Sequence, residues 1–401
     1  VPQATPTTER PPAAGRADDR AAPRRASKVD GLRLTYGFDD ISLAPGTDTV
    51  EPSEVDLTVD FCGLPLAIPV LASAMDAVVD VRSAAELARL GGLAVLNLEG
   101  LQTRYDDPDA LLQRVSSVPD AEVQELLAAA YAEPVREELV ARRMEELRSA
   151  AAPLVVAATP GASRRWGPFC AEHGADAFLV QSQVSSARHL ASGYDPLELA
   201  EFTRLMGIPV AVGNTTSYEA AYQLMAQGVA AVFVGVGPGA ACTTREVLGI
   251  GVPQVTAIAD VAAARDAFFD DTGRYVSVVA DGGMRRGGEL AKAVAAGADL
   301  LMLGSPLARA SEAPGRGTNW GMAAPSPTLP RGTRIRVGTA GTMERILFGP
   351  ASVADGSENL MGALRQSMAA LGARDLRAMQ LVEIVHAPSV ASEGKSWQRG
   401  P

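Results

Sequence analysis

The sequence predicts an α/β chain closed into a (β/α)8 TIM barrel, on three observations. Short, almost wholly apolar runs recur eight times. Most are followed by an alanine-rich stretch with helical periodicity, and residues able to bind or react fall directly after them. The runs are, in order, 68–72, 93–98, 154–158, 177–180, 209–212, 230–235, 275–280 and 300–303. Strands buried on both faces read this way, without the polar alternation of a half-exposed sheet. The clearest helical partners are Ser83–Leu90, Ser217–Ala226 and Gly288–Ala296. Periodicity does not prove closure, and an open doubly wound sheet is the alternative.

Residues 105–150 break the rhythm. Two or three charged helices, Asp120–Tyr131 and Pro134–Arg148 among them, stand between the second and third runs. The segment is long for a connection and short for a domain. It reads as a helical excursion packed on the barrel, with a subunit contact as one use for it. Residues 1–30 carry Pro, Ala, Arg and Thr with little to bury and are expected as a disordered arm. The barrel then spans 31–386, with a flexible tail over 387–401.

Composition narrows the function. No apolar run approaches the ~18 residues of a membrane span, and the start, Val1-Pro-Gln-Ala-Thr-Pro6, lacks the apolar core of a secretory signal. A cytoplasmic chain without membrane contact is expected. A net charge of -11 disfavours nucleic acid as a partner. It leaves room for a small phosphorylated ligand, which backbone amides can hold without lysine. Three separated cysteines make neither a disulfide framework nor a zinc pattern. The histidines (173, 189 and 386) do not cluster, which leaves no Cys–His dyad or histidine metal site, and His173 reads as a solvent-facing helix end.

The most informative stretch is Gly235-Val-Gly-Pro-Gly-Ala-Ala-Cys-Thr-Thr-Arg245, where a glycine loop leads from the sixth run to Cys242. Glycines let backbone amides and carbonyls turn inward and leave a thiol accessible to substrate. An ordinary turn with a small buried Cys is the alternative. Thr244 either touches what the thiol attacks or caps the next helix, and Arg245 with Glu246 reads equally as a surface pair. Other strand ends carry Ser73-Ala-Met75-Asp76, Gly213-Asn214, Asp281-Gly-Gly283 and Gly304-Ser305. The last two suggest a phosphate site with Asp281 accepting from sugar hydroxyls. Asp281 and Ser305 have helix N-caps as their plainer alternatives.

These motifs, with Tyr36-Gly-Phe-Asp-Asp40, Gly251-Val-Pro-Gln254 and Gly297-Ala-Asp-Leu-Leu-Met-Leu-Gly-Ser305, resemble the IMP dehydrogenase / GMP reductase family over about 31–386. Val95–Gly100, Tyr105–Pro108 and Trp320-Gly-Met322 are similar to its short actinobacterial IMP dehydrogenase-related branch. That branch carries the helical insert where longer relatives hold a nucleotide-sensing module. The resemblance implies a purine nucleotide substrate, with Cys242 attacking C2 of IMP, NAD taking the hydride, and water releasing XMP. It assigns Asn214 and Thr244 to orientation, Ser73 to the phosphate side and Met75 to the base. Asp281 goes to the ribose, Gly282, Gly283, Gly304 and Ser305 to the phosphate, and Gly321 and Met322 to the base edge. Carbonyls of Gly237, Gly239 and Cys242 match a potassium site, and a homotetramer is the family's assembly.

Four departures stand out. Ala240 replaces a phosphate-binding Ser, and Gln181 replaces an Asp near the cofactor ribose. The water-activating Arg-Tyr pair of the flap is not recognisable between Arg316 and Arg336, which leaves Arg316, Arg331 and Arg334 as substitutes. Ala323 and Ala324 stand where the reductases place a Glu. The branch often lacks the cysteine, which this chain keeps. A GMP reductase-like or modified-ribotide reaction and a catalytically silent nucleotide binder remain as alternatives.

Overall fold

In the computed structural model, which describes residues 29, 31–321 and 333–388, eight parallel strands close into a barrel. They are β1 (Val70–Ala72), β2 (Leu93–Asn97), β3 (Val155–Ala158), β4 (Ala177–Gln181), β5 (Val210–Thr215), β6 (Ala231–Val234), β7 (Ser277–Asp281) and β8 (Leu300–Leu303). Each pairs with its successor, and β8 returns to β1 through Leu301↔Val70, Met302↔Leu71 and Leu303↔Ala72. Closure excludes the open sheet. The arm expected over 1–30 lies outside the described residues except at 29 and the tail over 387–401 except at 387 and 388; the compact unit begins at Thr35.

Successive strand residues point to opposite faces. Leu71, Val95, Val155, Leu179, Phe233 and Met302 fill the interior. Their neighbours Val70, Leu96, Val156, Val180, Val232 and Leu303 face the surrounding helices. Both sets are fully apolar because both faces are buried, which is why the runs show no alternation in sequence. A hairpin, Val59–Phe61 with Leu64–Leu66, adds Phe61 to the interior, edge-on to Phe233 at 6.3 Å. Packing there leaves no slack: a Cβ on Gly213 would meet Phe233 Cβ at 2.3 Å. Gly213→Ala is expected to cost about 1–3 kcal/mol through overpacking. Urea unfolding should show a lower midpoint with an unchanged slope.

The excursion consists of three helices, Asp109–Ser117, Asp120–Ala132 and Glu137–Ser149. The apolar faces of the first two meet Ala77, Leu101 and Trp320 in a separate core of Leu112, Val115, Val123, Leu127 and Tyr131, while the third packs Val140, Met144 and Leu147 into the main core. Beyond β8, β9 (Thr318–Trp320) pairs antiparallel with β10 (Arg334–Arg336). No helix among the described residues is long and apolar enough to cross a membrane.

Candidate active site

The C-terminal ends of the strands gather the expected residues into neighbouring groups. After β6, Gly237 takes a left-handed φ of 71° and the loop folds so that Cys242 N–H donates to Gly239 O at 3.0 Å. Arg245 straps it from behind, Nε donating to Val236 O at 3.0 Å and Nη2 to Val252 O at 2.7 Å. Burial pushes its guanidinium pKa down. Arg245 is therefore a brace for the loop, not half of a surface pair with Glu246.

The Cys242 side chain is exposed, which overturns the buried-turn alternative. Its Sγ lies 3.1 Å from Thr244 Oγ1. Thr244 opens the helix Thr244–Leu248 but does not cap it; the cap position is Thr243, without a side-chain bond. Burial pushes the other two thiols, Cys62 and Cys170, up to about 12, keeping them protonated. Accessibility of the sulfur is the first requirement of a nucleophile.

Across the mouth, Asn214, one residue before the end of β5, has both amide protons in use, on Gly235 O at 2.9 Å and Asp281 Oδ2 at 2.7 Å. This fixes which way the carboxamide faces. Burial pushes the Asp281 carboxyl up to about 6, against the lowering effect of the Asn214 donor. Asp281 is not a helix cap: the next helix, Gly287–Ala295, starts behind Arg286, and Glu289 accepts from the Arg286 amide at 3.0 Å. Gly282 and Gly283 are both left-handed and lie over Pro238 and Gly239 of the cysteine loop.

Gly304 joins the β1 end: a Cβ there would stand 3.3 Å from Met75 Sδ and 3.4 Å from Ser73 Oγ. Ser305 caps nothing through its side chain but accepts from Asn319 Nδ2 at 3.2 Å. Gly321 follows β9 directly, while Met322, with Ala323, Ala324 and Arg331, lies outside the described residues. Arg334 is removed as a water-activating candidate. It is buried, donates to Val115 O at 2.6 Å and ion-pairs with Asp120. Arg316 stands 3.7 Å from Asp109 of the insert.

Two residues of this mouth escaped the sequence reading. Asn319, 2% exposed, joins the group at the ends of β1 and β8 through Ser305. Gln183 reaches Thr244 Oγ1 with its Nε2 at 3.4 Å. Its loop is anchored by Ser182 N–H on Gly213 O at 2.7 Å and Ser185 N–H on Asn214 O at 2.6 Å. Polar residues next to an apolar run were the only signal available for either.

No group of three or more His, Cys, Asp or Glu able to hold a metal occurs among the described residues. Of the three carbonyls expected to hold a cation, that of Gly239 accepts from Cys242 N–H. His173 ends the helix Pro160–Glu172, exposed and stacked on Phe169, as expected.

Residues 35–323 match the model of the IMP dehydrogenase / GMP reductase domain. A Mycobacterium tuberculosis protein named as an uncharacterized oxidoreductase is 40% identical over 359 residues, covering 87% of this chain and 96% of the relative. The inosine-5'-monophosphate dehydrogenase of Methanocaldococcus jannaschii is 27% identical, covering 88% and 92%. The crystal structure of an IMP dehydrogenase/GMP reductase-like protein from Corynebacterium glutamicum superposes with a TM-score of 0.84 at 34% identity, covering 92% and 97%.

Proposed function

We propose, starting from the IMP dehydrogenase / GMP reductase domain family to which this chain belongs, that it oxidises IMP to XMP through Cys242. The observation that carries this reading is the exposed Cys242 sulfur beside Thr244, in the mouth that also holds the Asp281–Asn214 pair. The sulfur adds to C2 of the purine and the C2 hydride departs. NAD, when bound, supplies the acceptor for it. Water then attacks C2, the S–C2 bond breaks, XMP leaves and the thiol is restored.

Asp281 accepts from the ribose hydroxyls. Its ionisation is disfavoured by burial on the order of 3 kcal/mol, a cost that ligand hydroxyls offset by donating to it. Amides of Gly282, Gly283 and Gly304 with the Ser73 and Ser305 hydroxyls serve the phosphate, Met75 packs on the base, and Gly321 with Met322 meets its edge. Potassium on the Gly237, Gly239 and Cys242 carbonyls would hold the loop in shape. A homotetramer in the cytoplasm completes the proposal.

A second reading has its own support. Arg334, one of the candidates to activate water, is buried and spent on the insert. A GMP reductase-like deamination uses the same thiol without that step. Purified protein with IMP and NAD, then with GMP and NADPH, separates the readings by absorbance of the reduced cofactor. Turnover with IMP supports the dehydrogenase, and turnover with GMP alone replaces it by the reductase. Silence in both, with nucleotide binding by calorimetry, replaces both by a non-catalytic binder.

A further inference from the structure

We infer that Tyr131, on the insert, is a positioning residue of the nucleotide site, holding the Met75 and Gly321 segments at a fixed separation. The inference rests on the nucleotide-site reading above and assigns the insert a part in that site.

The helix Asp120–Ala132 is not needed to close the barrel, yet it sends one hydroxyl into the barrel's polar end. Tyr131 Oη donates to Asp76 Oδ2 at 2.6 Å and accepts from Trp320 Nε1 at 3.0 Å. The polarity is forced. An indole N–H only donates and a carboxylate only accepts, so the single hydroxyl proton goes to Asp76. Asp76 and Trp320 are 1% and 0% exposed, so neither can exchange this partner for bulk water without local opening. The carboxylate is held from another side as well, by Leu101 N–H at 2.9 Å.

What the bridge joins gives it meaning. Asp76 directly follows Met75, whose sulfur lies against Gly304. Trp320 directly precedes Gly321 and follows Asn319, which donates to Ser305. The two segments are joined through the backbone by Gly315 N–H on Ala77 O at 3.0 Å, where Gly315 has no room for a Cβ. Tyr131 adds a side-chain tie. It restrains the segments from pivoting about the backbone contact, so that the base is met on both sides by walls of set spacing. Insert and site are thus one mechanical unit, and a change in the insert reaches the nucleotide without touching it.

Tyr131→Phe keeps the ring and removes the tie. A displacement of about 1 Å at a reacting centre can cost about 10²-fold. The variant should bind IMP and GMP about tenfold or more weakly by calorimetry, with kcat/KM reduced by up to about 10²-fold. Emission from Trp320 should shift as its N–H loses its partner. Alkylation of Cys242 by iodoacetamide without nucleotide should keep the parent's rate, because the thiol loop lies outside the bridge. Leu127→Ala is the comparison: it loosens the same apolar cluster without touching the bridge, and should lower Tm while leaving nucleotide affinity near the parent's. Parental affinity in Tyr131→Phe overturns the inference, as does an equal loss of affinity in Leu127→Ala. A parent that binds neither nucleotide refutes the functional reading instead, and this inference falls with it.

Discussion

Cys242→Ala is expected to lower kcat by about four to six orders of magnitude, the loss typical of removing a covalent nucleophile. Nucleotide affinity should stay within about threefold of the parent. The two outcomes separate because the sulfur and the binding groups are carried by different strands. Asp281 and Asn214 come from β7 and β5, and Ser73, Gly304 and Ser305 from the ends of β1 and β8, whereas the thiol stands on the loop after β6. The Cys242 contribution to the proposed cation site is its backbone carbonyl, which alanine retains. Cys62→Ser serves as the comparison and should turn over normally, since that thiol sits in the Val59–Leu66 hairpin and is pushed up to about 12 by burial and by Asp60. Mass spectrometry after brief iodoacetamide treatment should find the label on Cys242 and not on Cys62 or Cys170. If Cys242→Ala turns over at the parental rate, the covalent route is wrong whatever the nucleotide.

The barrel was legible because strands buried on two faces leave a clear trace, a run almost wholly apolar and without polar alternation. Boundaries were less so. The fifth strand, expected to end at Val212, continues to Thr215 because Ser182, from the neighbouring loop, extends its pairing through Gly213 and Asn214. The hairpin at 59–66 has strands of only three residues, too short for a periodic pattern, and the pairing of Ile41–Leu43 with Ile384–His386 depends on a distant partner that local pattern could not reveal. In the site, Cys242, Asn214 and Asp281 were visible as polar residues at the ends of apolar runs. Asn319 and Gln183 were missed because what they touch is brought near only by closure of the barrel. Arg334 shows the opposite error. A cation near an expected flap suggests chemistry, but this one is spent on the end of an insert helix and on Asp120. Sequence distance cannot distinguish a free guanidinium from one already engaged.

Asp281 gives the second large effect and a pH signature to accompany it. Asp281→Asn keeps the shape but replaces two carboxylate acceptors by one carbonyl and an NH2. Hydrogen bonds to a charged group contribute about 1.5–3 kcal/mol each. The loss of ribose contacts should therefore weaken nucleotide binding by about 10²-fold. The sign of the pH effect follows from the folded-state value of about 6, above the ordinary 3.8. Being raised, the group favours the folded state below its unfolded value, and that contribution is lost as pH rises from about 4 through 6. Ligand hydroxyls act in the other sense, because they donate to the ionised form. Affinity should accordingly be level above about pH 7 and fall towards tenfold per pH unit below 6. The second ionisation of a nucleotide phosphate also lies near pH 6, so the parent's curve alone mixes two titrations. The ratio of parent to Asp281→Asn affinities cancels the phosphate and isolates the side chain. That ratio should be about 10² at pH 8 and shrink to about 10 by pH 5. A ratio constant across this range would mean that Asp281 does not meet the ribose as a carboxylate, and its cost of ionisation would then be uncompensated.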